Sequence, residues 1–366
     1  MSRTMRAAVL LKAPGPLEIH ELTIDEPVGR EVLVRTAAAG LCHSDYHVME
    51  GRITRPLPAV MGHESAGVVE AVGPNVTSVR VGDHVVCCLS VFCGNCRRCL
   101  AGETWLCDDK AATARPPGAP PRLQLDGRPV TAFSHVGGFA EYLLVHENAT
   151  VAIPRSLPFD RAALLGCGVI TGVGAALNAA RVRPGSTTAV VGCGGIGLNA
   201  VQGCALAGAG RIVAVDRVPA KLELARAFGA THLVDAGRTD PVAAVRELTD
   251  GGVDYAFEAI GTAATVEAAF GMLRRGGTAY VIGVLPEGSS VQLSGVDFLA
   301  SKGLVGVFMG SNHFKLDLPT YIEWYEQGRL HLDELISAHI GLEEVNDGYA
   351  ALVGGAVTRS VIVFDA

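Results

Sequence analysis

Cys93, Cys96, Cys99 and Cys107 form a C-x2-C-x2-C-x7-C run. Four thiolates at that spacing can close tetrahedrally around one Zn²⁺, and a structural zinc needs all four positions filled by protein. A disulfide knot is the competing reading, but such frameworks belong to small secreted chains, and so short a loop disfavours the pairing geometry. Further metal-competent residues flank the run. Cys42 and His63 precede it in GLCHSDYH and GHE, and Cys167 follows it in LLGCGVITG. Two thiolates and one imidazole leave a fourth position open, the composition of a catalytic zinc. Such a metal is a Lewis acid that polarises a carbonyl oxygen or stabilises an alkoxide during hydride transfer. Taken singly, each of these three residues reads as buried core; their company makes them a ligand set.

A second chemistry follows downstream. Gly192-Cys193-Gly194-Gly195-Ile196-Gly197 satisfies G-x-G-x-x-G between the strand-like AVV and the helix-like LNAVQGCALAGA. Gly192 makes the tight turn, Gly194 lets backbone N–H groups approach a pyrophosphate, and Gly197 packs helix against strand, with the phosphates on the helix N-terminus. Asp216 closes the next strand, RIVAVD, where an acid accepts ribose hydroxyls and repels a 2′-phosphate, selecting NAD over NADP. The plainer reading of Asp216 is a strand-end acid capping a turn. Arg217 pulls the other way, since an Arg can accommodate the extra phosphate.

These residues need elements to hold them. With 366 residues, 49% hydrophobic and 18% charged, the chain has length for two domains and apolar surface for sizeable cores. Thirty Lys and Arg against 37 Asp and Glu give a net charge of −7 with no basic stripe, which argues against nucleic acid. There is no signal-type h-region and no run of 18 uncharged apolar residues, so neither secretion nor a membrane partner is expected. Thiolate ligands suit a reducing cytoplasm, and Cys87, Cys88, Cys193 and Cys204 read as small buried hydrophobes. Arg6–Leu10, Glu31–Ala38, Ser65–Val72 and His84–Cys88 are strand-like runs separated by Gly, Pro and Asn, predicting a β-rich first half. From Thr187, TTAVVG, RIVAVD, THLVDA, VDYAFEAIG, TAYVIGV and GLVGVFMG alternate with Ala-rich helical text, predicting an α/β doubly wound parallel sheet. A helix around Leu318–Gln327 and a final strand in SVIVFDA return the chain to the first domain. Ala111–Pro121 is a Pro-rich loop expected to shape a surface or a pocket rim.

Together these motifs resemble the zinc-containing medium-chain alcohol dehydrogenase family along nearly the whole chain, from AAVL to SVIVF. Cys₂His is the ligand set for which alcohol dehydrogenase is the standard example. The resemblance implies a GroES-like catalytic domain over residues 1–168 carrying a structural-zinc lobe, a Rossmann NAD-binding domain over 169–311, and a return to the catalytic domain over 312–366. It implies two Zn²⁺ per chain: Cys42, His63 and Cys167 on the catalytic zinc, and Cys93, Cys96, Cys99 and Cys107 on the structural one. By the same resemblance, Ser44 touches the bound alcohol and His47 is the exposed end of a proton relay. A histidine suits that role because its ordinary pKa is about 6.5. Asp45 orients the His63 ring, and Glu64 lies behind the metal. For each, a paired buried acid or an idle surface imidazole is the alternative.

The cofactor contacts implied are Thr171, Gly192, Gly194, Gly195, Ile196, Gly197, Asp216, Arg217, Lys221 and Arg359. Arg359 and the residue after the first ligand, His43, face the pyrophosphate. His43 stands where many members carry Arg, which implies a looser hold on the phosphate and faster cofactor release. The activity implied is interconversion of a small-molecule alcohol with an aldehyde or ketone, by a homodimer or homotetramer in the cytoplasm. Asp250–Tyr255, DGGVDY, resembles members acting on thiol adducts of formaldehyde. NAVQG, GSN and LDELI resemble actinobacterial members that hold nicotinamide tightly and pass electrons to an external acceptor. A non-catalytic quinone-oxidoreductase-like sensor would keep the fold and lose the catalytic ligands, all of which are present. Gly303–Gly310 is expected to be the sheet's edge strand, pairing with its two-fold mate.

Overall fold

The structure is a computed structural model that describes residues 2–116, 118–355 and 357–365. Pro117 in the Pro-rich loop and Ala366 at the end of SVIVFDA lie outside the described residues. The chain forms two compact units, one of Met1–Cys167, His313–Tyr325 and Leu332–Ala366, the other of Gly168–Asn312 and Glu326–His331.

In the first unit, Glu31–Gly40 organises a mixed sheet. Its sequence EVLVRTAAAG is apolar almost throughout because the strand is buried along its length. It pairs antiparallel with Glu64–Val72 and Tyr142–His146, and its C-terminal end pairs with Ser360–Val363. That register sets Gly40 opposite Glu64, so the segments carrying Cys42 and His63 leave the sheet side by side. A closed barrel of Arg3–Leu10, Glu18–Ile24, Leu123–Leu125, Arg128–Ala132 and Ala59–Val60 completes the β-rich part. The Pro-rich loop is pinned from within: Arg115 donates to both oxygens of buried Glu31 and to the Glu26 carbonyl.

The second unit holds six parallel strands, Thr187–Val191, Arg211–Asp216, His232–Asp235, Val253–Glu258, Leu273–Val281 and Gly303–Gly306. Numbered along the chain, their spatial order is 3-2-1-4-5-6, with the switch between the first and fourth where dinucleotides bind in such sheets. The last strand is shorter than GLVGVFMG suggested. It stops at Gly306, and the chain turns through Met309 and Gly310 with φ of 50° and 65°. A Cβ on Gly310 would lie 2.4 Å from the Ile170 carbonyl oxygen, so only glycine permits that approach. Glu326–His331 joins this unit through Gln202, whose Oε1 accepts the His331 N–H at 2.9 Å.

Phe159–Ala179 is the one described helix long and apolar enough to cross a membrane, and 83% of its most apolar window is buried in the fold. Thr171 and Asn178 interrupt the run, which is why a count of apolar residues passes over it; its burial marks a core helix.

Candidate metal centres and dinucleotide loop

Cys42 follows the end of the strand Glu31–Gly40 and precedes the helix His43–Met49. His63 immediately precedes the strand Glu64–Val72, and Gly62 before it has φ of 88°. A Cβ at Gly62 would stand 2.4 Å from the Phe139 ring, so both conformation and packing demand glycine. Cys167 sits in a π-helical turn, Leu165–Val169, a widened geometry common at functional sites. Donor atoms of Cys42, His63, Glu64 and Cys167 all lie within 4.8 Å of one another, and all four residues are buried.

The donor chemistry suits a zinc ion. His63 Nε2 is buried without a hydrogen-bond partner, and its Nδ1 lies 3.1 Å from Asp45 Oδ2, a close charge contact short of an aligned hydrogen bond. Asp45 is fixed by accepting the Gly62 N–H at 2.9 Å. Hydrogen bonding from Cys167, reinforced by the Arg359 charge against the cost of burial, holds the Cys42 thiol well below its usual pKa; Cys167 is held well above. Burial alone would depress His63, but the Asp45 charge outweighs it and raises the imidazole pKa well above its ordinary value.

Behind these donors, burial pushes Glu64 up to about 8, with the Arg359 charge opposing. Arg359, 4% exposed, points inward: it donates to the Leu41 carbonyl at 2.7 Å and lies 3.3 Å from Glu64 Oε1. A Cβ on Gly40 would stand 2.5 Å from Glu64 Oε2, so the strand leaves that carboxylate its space. Ser44 Oγ lies 3.8 Å from Cys42 Sγ. One turn on, His47 is half-buried, and burial with the Arg52 charge lowers its pKa. His43 is exposed, its ring 6.5 Å from that of His47.

In the lobe, sulfur–sulfur distances are 3.5 Å for Cys96–Cys99 and 3.9 Å for Cys93–Cys99 and Cys96–Cys107. A disulfide needs about 2.05 Å, whereas four thiolates about 2.3 Å from a tetrahedral zinc stand roughly 3.8 Å apart. Backbone N–H groups of Asn95 and Cys96 point at Cys93 Sγ, and that of Cys93 at Cys107 Sγ, at 3.3–3.4 Å. The other cysteines are inert by burial: Cys87, Cys88, Cys193 and Cys204 are 0% exposed, and desolvation pushes Cys88 up to about 11 and Cys204 to about 12.

The glycine loop belongs to the second unit. Gly192 has φ of 94° and a Cβ there would meet Ile260 at 2.5 Å, while a Cβ on Gly197 would strike the Gly192 carbonyl at 1.7 Å. A Cβ added to Gly194 would meet nothing within 4 Å, leaving open space at the N-terminus of the helix Gly195–Leu206, which starts with Gly195 and Ile196. Asp216 Oδ2 accepts the Cys193 N–H at 2.7 Å and Oδ1 accepts the Val218 N–H at 2.9 Å, so the acid also braces the loop. Arg217 is exposed and Lys221 partly so; Thr171 is buried, its hydroxyl 3.6 Å from Met309 sulfur. Sequence reasoning missed Glu258. This fully buried acid pairs in register with Val191, beside the loop, and its Oε1 accepts from Ile260 N, Gly261 N and Thr265 Oγ1, each at 2.8 Å. An acid at the inner end of the strand VDYAFE, beyond the apolar run Tyr255–Phe257, was the available signal.

Residues 29–155 match the alcohol dehydrogenase GroES-like domain, and residues 195–327 match the zinc-binding dehydrogenase domain. An NDMA-dependent alcohol dehydrogenase from Amycolatopsis methanolica is 42% identical over 99% of both chains. An S-(hydroxymethyl)glutathione dehydrogenase from Paracoccus denitrificans is 35% identical over 98% of this chain and 99% of its own. The crystal structure of benzyl alcohol dehydrogenase from Acinetobacter calcoaceticus superposes with a TM-score of 0.93 at 36% identity, over 99% of this chain and 100% of that one. The protein is therefore an oxidoreductase with a GroES-like domain and a Rossmann-like parallel-sheet domain. It belongs to the zinc-containing medium-chain alcohol dehydrogenase family.

Proposed function

We propose that this chain is an NAD-dependent alcohol dehydrogenase with two Zn²⁺ per chain, interconverting a small-molecule alcohol with an aldehyde or ketone in the cytoplasm. The observation that carries the reading is the buried convergence of Cys42, His63 and Cys167, two sulfurs and one nitrogen, with Glu64 drawn toward Arg359. When bound, zinc supplies Lewis-acid polarisation of the substrate oxygen and NAD accepts the hydride. The chain's residues supply the rest. Cys42, His63 and Cys167 hold the metal, and Asp45 fixes the His63 ring. Ser44, beside Cys42, receives the alcohol proton, and His47, three residues along the same helix, passes it to water. A lowered pKa keeps His47 neutral, hence basic, at physiological pH. Gly192, Gly194 and Gly197, with the N–H groups of Gly195 and Ile196, cradle the cofactor phosphates; Asp216 keeps lone pairs for ribose hydroxyls. Arg217, Lys221, Thr171, His43 and Arg359 are the remaining cofactor contacts of this reading.

A second reading, in which NAD stays bound while electrons pass to an external acceptor, is favoured by the 42% identity to an enzyme named as NDMA-dependent. Purified enzyme incubated with NAD and a panel of small, aryl and terpenoid alcohols distinguishes them. Stoichiometric NADH release supports the first; turnover only with an added acceptor supports the second; no alcohol oxidation under either condition overturns both. Assembly follows from the sheet edge. Among the described residues Gly303–Gly306 pairs on one side alone, and Leu299, Val305 and Phe308 nearby are 83%, 44% and 48% exposed. Pairing with a second copy covers this edge, in a homodimer or homotetramer. Light scattering at micromolar concentration should return at least a dimer mass.

A further inference from the structure

The helix Val345–Val353 carries one hydroxyl into the core of the first unit, that of Tyr349. The side chain is 1% exposed, and its ring is stacked on Tyr46 at 6.0 Å and lies 6.3 Å from Phe139. Its oxygen has no hydrogen-bond partner. Burying a phenol without a partner costs stability that a phenylalanine of the same shape would not lose, so this hydroxyl calls for an acceptor. One lies close by. Asp45 Oδ2 is 0% exposed, also has no aligned hydrogen bond, and keeps a lone pair beyond its contact with His63 Nδ1. Burial, with the adjacent Asp45 charge, keeps the phenol protonated and so a donor. The backbone permits the approach: a Cβ on Gly348 would stand 2.7 Å from Leu41 Cδ2, so this glycine seats the helix against the turn that carries Cys42.

We propose that Tyr349 is a positioning residue of the buried metal centre. Its hydroxyl donates to Asp45, and Asp45 holds His63 with the Nδ1 proton inward and Nε2 toward Cys42 and Cys167. The inference rests on the reading of that cluster as a zinc site. Tyr349 is sequence-remote from every ligand; it acts through Asp45. Outer partners of metal-ligating histidines typically account for 10- to 100-fold in metal affinity.

The test compares wild type, Tyr349→Phe, Asp45→Asn and the double variant, with Tyr46→Phe as a control at the stacked ring. Metal content is measured first, then the rate of zinc release to a chromogenic chelator, then the visible spectrum of cobalt-substituted enzyme. Tyr349→Phe is expected to lose one zinc about 10-fold faster than wild type and to shift the cobalt spectrum. The second zinc and the melting temperature should stay near wild type, and Tyr46→Phe should match wild type throughout. Added to Asp45→Asn, the Phe substitution should change nothing further. A Tyr349→Phe enzyme with wild-type zinc release and cobalt spectrum overturns the proposal, as does an effect that persists undiminished in the Asp45→Asn background. Wild-type enzyme holding zinc in the lobe alone instead overturns the metal-site reading beneath it.

Discussion

The buried cluster of Cys42, His63 and Cys167 and the lobe of Cys93, Cys96, Cys99 and Cys107 offer a metal opposite surroundings. The lobe is local. Its donors lie in one stretch of chain, neighbouring N–H groups stabilise the thiolates, and Cys96 and Cys99 are part-exposed. A backbone hydrogen bond from Cys99 helps bring Cys96 down to about 6. The buried cluster is assembled from distant parts of the chain. Its donors come from a strand end, a glycine turn and a π-helical turn, and its charge is balanced by Asp45, Glu64 and Arg359 deep in the protein. A metal that only ties a loop can be encoded locally. One that must keep a coordination position for substrate needs a tertiary structure to hold its ligands apart and its charges in check.

The strongest test of that contrast exchanges one sulfur in each site. Cys42→Ser should remove one zinc and lower turnover by on the order of 10³-fold, since Lewis-acid stabilisation is worth several kcal/mol. Its melting temperature should change little. Cys99→Ser should remove the other zinc and mainly destabilise the lobe, leaving turnover per folded molecule near wild type. Elemental analysis beside activity and thermal melting checks both. Equal activity losses in the two variants would erase the distinction between the sites.

The lobe was legible in the sequence because its spacing is its geometry. So was the glycine loop, whose motif lies between a strand and a helix, and so was the parallel sheet, where apolar runs alternate with helical text. Of the surroundings of the buried cluster, the family resemblance named Asp45 and Glu64 but not the inward turn of Arg359 or the place of Tyr349. The resemblance gives Arg359 to the cofactor phosphates, yet packing also turns it onto Glu64, far away in sequence. Tyr349 reads as one aromatic on a helix face, and only the fold stacks it on Tyr46, the neighbour of Asp45. The π-helical turn at Cys167 likewise left no periodic signature, because its run is apolar on every face.

Two buried acids sharpen the comparison through pH. Glu64, beside Cys42, is pushed up by burial to about 8. Glu147 is also buried, yet Arg30 at 2.6 Å and the N–H groups of Thr77 and Ser78, each at 3.0 Å, overcome desolvation and hold it at about 2. A folded-state pKa below the unfolded value adds stability that is full above the ordinary carboxyl range and fades as pH falls from about 4.5 toward 2. Glu147→Gln should therefore cost about 2 to 3 kcal/mol at neutral pH, with wild type and variant converging in acid. Denaturant melts at pH 7 and pH 3 that show the same difference between the two proteins would contradict this.

The cofactor loop lies outside both metal sites, so a change there should leave zinc content alone. Asp216 offers its carboxylate to ribose while bracing Cys193 and Val218. Asp216→Gly should narrow the preference for NAD over NADP by about 10-fold, from lost hydrogen bonds and lost repulsion of a 2′-phosphate. Equal wild-type kcat/KM for the two cofactors would sink that role.

The smallest effect is expected at the wet edge of the buried site. Positioned acid–base groups commonly contribute about 10²- to 10⁴-fold, but His47 is half-exposed, and water can take the proton where the imidazole is missing. His47→Gln should slow alcohol oxidation by only about 5-fold, below that range because of this bypass. The pH profile carries the sign. Burial and Arg52 lower the His47 pKa, so the wild-type imidazole remains a base below neutral pH, where hydroxide is scarce and the variant has no substitute. The deficit should therefore be widest just below neutral pH, close as pH rises, and shrink on adding imidazole buffer. Overlapping pH–rate profiles without buffer rescue would leave His47 a surface imidazole and send the Ser44 proton by another route.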